Sequence, residues 1–301
     1  MENKKAKGAL LIGILAISIF PILVRLSLNS GLISAFYRMA IALLFLLPYV
    51  LISKKLQVPK GKILWLSLLS GVVFASDVAV WNIAIQHSSA TQATLLTNLS
   101  PVWVGIGSFV FLKIRPATNF WIGTVVAIFG MIMLVGFHFF LDLSFDMAFG
   151  LAVLSGILYA LYILLSKSIL DKVEILSFMT LTLFASTIFL GIICLFAGEA
   201  FFGFSNKAWT VLFIQGIVCQ LLAWICISYA TQHMRATRVS LSLLSQAVLA
   251  AILAYIFLDE EITMQMIIGG LIMLLGIRIT FYSQNLFSMK LFQKQKIKNY
   301  D

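Results

Sequence analysis

Long apolar runs, each about the length of one bilayer crossing, alternate along the chain with short clusters of charged and turn-forming residues. A hydrocarbon core of about 30 Å needs roughly 20 helical residues. Runs bounded by those clusters predict helices over 8–27, 33–52, 62–85, 91–112, 119–140, 147–167, 175–197, 208–232, 237–257 and 264–284. They are continuously apolar and do not alternate with period two, which excludes a β-barrel. The expected fold class is therefore an all-α membrane protein with ten transmembrane helices.

Composition points the same way. Of 301 residues, 61% are hydrophobic and 11% charged, against roughly 45–50% and about 25% in soluble domains. A soluble surface could not hide so much apolar side chain. The net charge of +10 does not indicate nucleic acid, because the basic residues flank apolar runs and form no single patch. Cys194, Cys219 and Cys226 lie inside apolar runs without metal-ligand spacing and read as small hydrophobes. The first run begins at Gly8 and lacks a small-residue cleavage site, so a retained first helix is expected.

The positive charges set an orientation. With ten spans, 17 lysines and arginines fall on one side, among them Lys4, Lys54, Lys113, Lys167, Arg235 and Lys290. The other side keeps Lys207 and the acids Asp142, Asp146, Glu199, Asp259, Glu260 and Glu261. Positive charge stays inside, so both termini are expected in the cytoplasm of a bacterial inner membrane. The basic tail over 285–301 would favour anionic lipid.

Shifted by 146 residues, the chain matches itself. Ala84, Gln86, His87, Ala90 and Thr91 align with Ala230, Gln232, His233, Ala236 and Thr237, and the same shift pairs Gly123 with Gly269 and Gly130 with Gly276. The halves, 8–140 and 147–284, hold five helices each. An odd number inserts the second half upside down, giving two inverted five-helix repeats. Secondary transporters are commonly built this way, with the substrate near midplane between the halves.

At these residues the chain resembles the drug/metabolite transporter superfamily, in its ten-helix EamA-type branch. Phe257-Leu258-Asp259-Glu260-Glu261-Ile262-Thr263 and the following Gly269, Gly270 and Gly276 resemble that family's Leu-Gly-Glu-x-x-Thr turn and last helix. Ser100-Pro101-Val102 resembles the Ser-Pro-Val of its fourth helix, and Arg38 sits where the family commonly has an arginine. Lys113-Ile114 and Asp259 depart from the family's Gly-Glu and glycine. The resemblance implies metabolite transport and leaves the substrate open.

Asp77 is the one acidic residue well inside a predicted span, where an unpaired charge is costly. It reads either as a counter-ion for a substrate amine or a proton carrier, or as a structural partner of Arg38 or Arg25. Trp81 shares its helix face, and Trp103, Trp224, Tyr159 and Tyr162 are further mid-span aromatics that suit either a path lining or packing. Asn98, Gln220 and Gln246 are interior amides that must face partners, as interhelical ties or as substrate hydrogen bonds. Ser100 and Pro101 would break the fourth helix near its middle. His87 and His233 lie at helix borders, where capping or solvation is the simpler role.

No catalytic, P-loop or metal constellation is present in the sequence. The expectation is a secondary carrier without cofactor, metal or nucleic acid, moving a small molecule through the lipid bilayer and exporting amino acids or related amines. Proton coupling stays open, and two halves in one chain suit a monomer. The alternatives are an importer or exchanger of a nucleoside-type or other host metabolite and, in another class, a receptor, scaffold or lipid-processing protein.

Overall fold

The computed structural model describes residues 4–26, 29–87, 95–136, 147–259 and 261–282, and these are helical with short connections and no strand. The basic tail expected over 285–301 lies outside them, as do His87's side chain and that of Arg25.

Ten helical segments follow one another along the described residues. They are α1 (Lys4–Ser18, continued by Phe20–Leu26), α2 (Gly31–Ile52), α3 (Lys62–His87), α4 (Ser100–Val110), α5 (Thr118–Val135), α6 (Met147–Leu170) and α7 (Ile175–Phe196). Then come α8 (Asn206–Ile214, a π-helical turn Gln215–Leu222, then Ala223–His233), α9 (Ala236–Leu243 and Gln246–Leu258) and α10 (Met264–Phe281). Among the described residues nine of these are long and apolar enough to cross a membrane, and the remaining apolar helix, Leu95–Val110, is shorter.

The expected helix over 8–27 starts earlier, at Lys4, and is interrupted after Ser18. The second piece carries Pro21 in its first turn, where the missing N–H costs nothing. The ninth helix, expected to be continuous, is also in two pieces. It is interrupted at Leu244–Ser245, and α4 is preceded by a turn at Asn98–Leu99. These positions are equivalent at the 146-residue offset, and both carry i→i−3 bonds: Leu99 N–H to Leu96 O, and Ser245 N–H to Ser242 O. Pro101 stands in the first copy and Ala247 in the second, so proline does not cause the break.

The helix contacts obey the repeat. α5 packs on α10, α3 on α6 as α8 packs on α1, and α4 on α6 as α9 packs on α1. The four glycines matched at that offset meet face to face. A methyl group on Gly123 would strike the carbonyl of Gly276, and one on Gly130 would strike the backbone of Gly269 and Met273. Moving the Gly123–Gly276 contact by one repeat gives Gly269–Gly130, which is the second contact. α5 and α10 are thus an antiparallel pair, held at backbone contact by small residues in place of hydrophobic drive.

Two further repeat features are structural. Lys113 and Asp259, standing where glycine was expected, adopt left-handed φ values of 54° and 53°. That conformation ends a helix most easily at glycine. Gln232, from the repeated Gln-His pair, donates to Leu170 O at 2.6 Å, and Lys167 donates to Gln232 O at 2.7 Å. His233 lies exposed with Nδ1 2.9 Å from Tyr229 O, in keeping with a border role.

Candidate functional site

α3 and α6 are one of the helix pairs that pack across the two repeats. Gly156 lets α6 come close to the backbone of Leu96 and Thr97. One residue earlier, Ser155 donates its hydroxyl to Asp77 Oδ1 at 2.6 Å, and Thr97 Oγ1 lies 3.1 Å from Ser155 Oγ. Asp77 is 6% exposed. A buried carboxylate needs charge-assisted hydrogen bonds or a cation, and Ser155 supplies one such bond.

Next to it stands an aromatic group drawn from both repeats. Phe74 stacks on Tyr162 with centroids 4.5 Å apart, and Trp224 meets Phe74 at 4.8 Å and Tyr162 at 5.2 Å, edge to face. Tyr159 reaches Trp224 at 6.3 Å. The helical spacing explains the convergence. Phe74 and Asp77 are three apart on α3, while Ser155, Tyr159 and Tyr162 follow at four and then three on α6.

Several polar atoms of the bundle interior are buried without a hydrogen-bond partner, among them Arg38 Nε, Gln215 Nε2, Gln220 Oε1, Trp224 Nε1 and Trp103 Nε1. Such groups are costly inside a bundle. Arg38 and Asp77 interact electrostatically, yet among the described residues no carboxylate lies within ion-pair distance of Arg38, the ion pair present being Lys167–Asp171. The structural pairing of Asp77 with Arg38 is therefore not formed.

Of the residues read from the sequence, Asp77, Tyr159, Tyr162 and Trp224 converge, with Arg38 in electrostatic reach. Gln220 lies on the π turn of α8. Trp103 is half-buried on α4, against the main core. Trp81 packs with Ala84, Leu96 and Ala152, outside the aromatic group. Asn98 lies in the turn before α4, where Ser100 and Pro101 start the helix, and Gln246 opens the second piece of α9. An open depression of about 360 Å³ lined by Gly105, Ile106, Phe109, Arg115, Pro116 and Trp121 contains none of the converging groups.

The sequence reading missed Phe74, Ser155 and Gln215. The first looks like any core aromatic, and serine is common in apolar helices. Ser155's spacing ahead of Tyr159 and Tyr162 is the signal that would have found it. None of the polar groups is duplicated: at the repeat offset Asp77 corresponds to Ala223, Arg38 to Phe184, Ser155 to Ala9 and Trp224 to Val78.

A scaffold repeated in this way is matched by one family, the EamA-like transporter family, over residues 5–136 and again over 147–282. The chain belongs to that family. Among relatives, an uncharacterized transporter of Archaeoglobus fulgidus is 29% identical over 261 residues, covering 83% of this chain and 88% of its own. The uncharacterized transporter YdfC of Bacillus subtilis is 24% identical, covering 83% and 82%. A solved crystal structure shares the fold with a TM-score of 0.77 at 14% identity, over 91% of this chain and 97% of that one. This EamA protein is thus a multi-pass membrane transporter, and the aromatic and carboxylate cluster lies where its two repeats meet.

Proposed function

We propose that this EamA protein is a secondary carrier exporting an amino acid or a related amine-bearing metabolite across a bacterial inner membrane, by alternating access, as a monomer with both termini in the cytoplasm. One observation carries the reading. Asp77, the one buried carboxylate among the described residues, is held by Ser155 from the opposite repeat beside an aromatic wall of Phe74, Tyr159, Tyr162 and Trp224. Carboxylate and ring faces together recognise an ammonium group carrying an apolar body.

The contact symmetry supports alternating access, because interchangeable halves can exchange their inward and outward arrangements. The seventeen-to-one distribution of basic residues supports cytoplasmic termini.

Counterflow of labelled amino acids and nucleosides in proteoliposomes tests the reading. Saturable amino-acid flux that Asp77→Asn abolishes is expected, and nucleoside flux indifferent to Asp77 would replace the substrate class. Flux independent of pH would remove proton coupling and leave the carrier intact. A reporter fused after residue 290 should be cytoplasmic, and a periplasmic signal would overturn the topology.

A further inference from the structure

We infer that Arg38 and Gln215 form a second subsite, for a carboxylate, so that the carried molecule is a zwitterion bridging this subsite and Asp77. The inference deepens the carrier reading above and rests on it.

The subsite lies on the seam between α2 and the π turn of α8. Gly216 presses against Ile41 and the Arg38 carbonyl, leaving no room for a side chain and bringing the π turn onto α2. Ser34 donates to Gln215 Oε1 at 2.7 Å, which commits the amide oxygen and leaves the amide nitrogen as the free end. That nitrogen is buried with no acceptor.

One turn along α2 from Ser34 stands Arg38, 5% exposed, with Nε also lacking an acceptor. Its guanidinium rests 4.6 Å from the Phe20 ring, which covers one face and leaves the donor edge for a ligand. Cys219, buried on the same π turn, is a thiol and weak as an acceptor.

Buried nitrogen donors without an acceptor call for an anion. The charge tally narrows its class. Arg38 and Asp77 cancel, so a molecule bearing one carboxylate and one ammonium fits without leaving a residual buried charge. A doubly charged phosphate would meet one guanidinium and be repelled by Asp77.

The test compares each amino acid with its own decarboxylated amine: phenylalanine with phenethylamine, and leucine with 3-methylbutylamine. Binding to the purified full-length protein is read from ligand-induced thermal stabilisation in detergent, and flux from proteoliposomes. The wild type should prefer each amino acid by at least about tenfold, as sites built around a hydrogen-bonding group reject analogues lacking it. Arg38→Gln should bring that preference below about threefold, with Arg38→Lys retaining part of it through charge alone.

Gln215→Leu, which keeps every charge, should also reduce the preference, and it decides the matter if Arg38→Gln does not fold. An unchanged preference in a folded variant, or a wild type stabilised by neither amino acid, overturns the carboxylate subsite. Flux of other compounds in that case would leave the carrier reading standing. Binding with the expected preference but no flux would overturn the carrier reading alone.

Discussion

Ser155 of α6 donates to Asp77 of α3 across 2.6 Å, so the buried carboxylate of the first repeat is held by a hydroxyl of the second. Any motion that separates α3 from α6 must break this bond or carry it along. The bond therefore joins the environment of the carboxylate to the relative position of the repeats.

Asp77→Asn should abolish saturable flux, because an amide cannot balance an ammonium charge. Ser155→Ala should leave the charge and remove a hydrogen bond to an ionised group worth about 1.5–3 kcal/mol. Substrate affinity should then change by about tenfold or more, read from the half-saturation concentration in counterflow. Equal flux from wild type and Ser155→Ala would show that this bond plays no part in transport.

Trp224 edges onto Phe74 and Tyr162 and is 2% exposed. Trp224→Leu removes the indole face and should raise the half-saturation concentration of an amine substrate about twofold to thirtyfold, since cation–π contacts run from about 0.5 to 2 kcal/mol. Trp224→Phe should recover most of the loss. If the two variants behave alike, Trp224 serves packing only.

The glycine crossing of α5 and α10 predicts sharply local effects on stability. Gly130→Ala and Gly269→Ala push a methyl group into backbone, and overpacking of this kind costs about 1–3 kcal/mol. Melting of the purified protein should shift downward for both. Gly150→Ala meets nothing within 4 Å and should be neutral or slightly stabilising.

Lys113 and Asp259 hold left-handed conformations at equivalent helix ends. For a side chain such as lysine that conformation costs about 1–2 kcal/mol, partly offset by the chain entropy glycine loses on folding. Lys113→Gly should therefore gain up to about 1 kcal/mol in a melting experiment, and Asp259→Gly less, because aspartate tolerates the region better. A loss of stability at Lys113 would contradict the strain.

The repeated glycines and the lone charge in an apolar run were legible in the sequence, whereas backbone hydrogen-bond register and contacts between distant residues were not. Gly123, Gly130, Gly269 and Gly276 announced themselves through a common offset, and the structure joins all four at one crossing. Asp77 stood out because a charge in lipid is rare. The π turn at Gln215–Leu222 left no trace in hydropathy, since an apolar run reads alike whether its bonds span four residues or five. The break at Leu244–Ser245 was invisible for the same reason, while Pro101 advertised its equivalent. Ser155 and Phe74 gain meaning only from Asp77 and Trp224, their neighbours in space and not in sequence.

Asp77 corresponds to Ala223 and Arg38 to Phe184, so the frame is doubled but the chemistry is single. On the carrier reading proposed above, a molecule gripped by such a frame keeps one heading throughout the cycle, with the same end leading whichever gate stands open. Its grip when loaded from the cytoplasm need not equal its grip when loaded from outside. Left without a driving ion, the protein would level concentrations across the bilayer while saturating at different loads from the two faces.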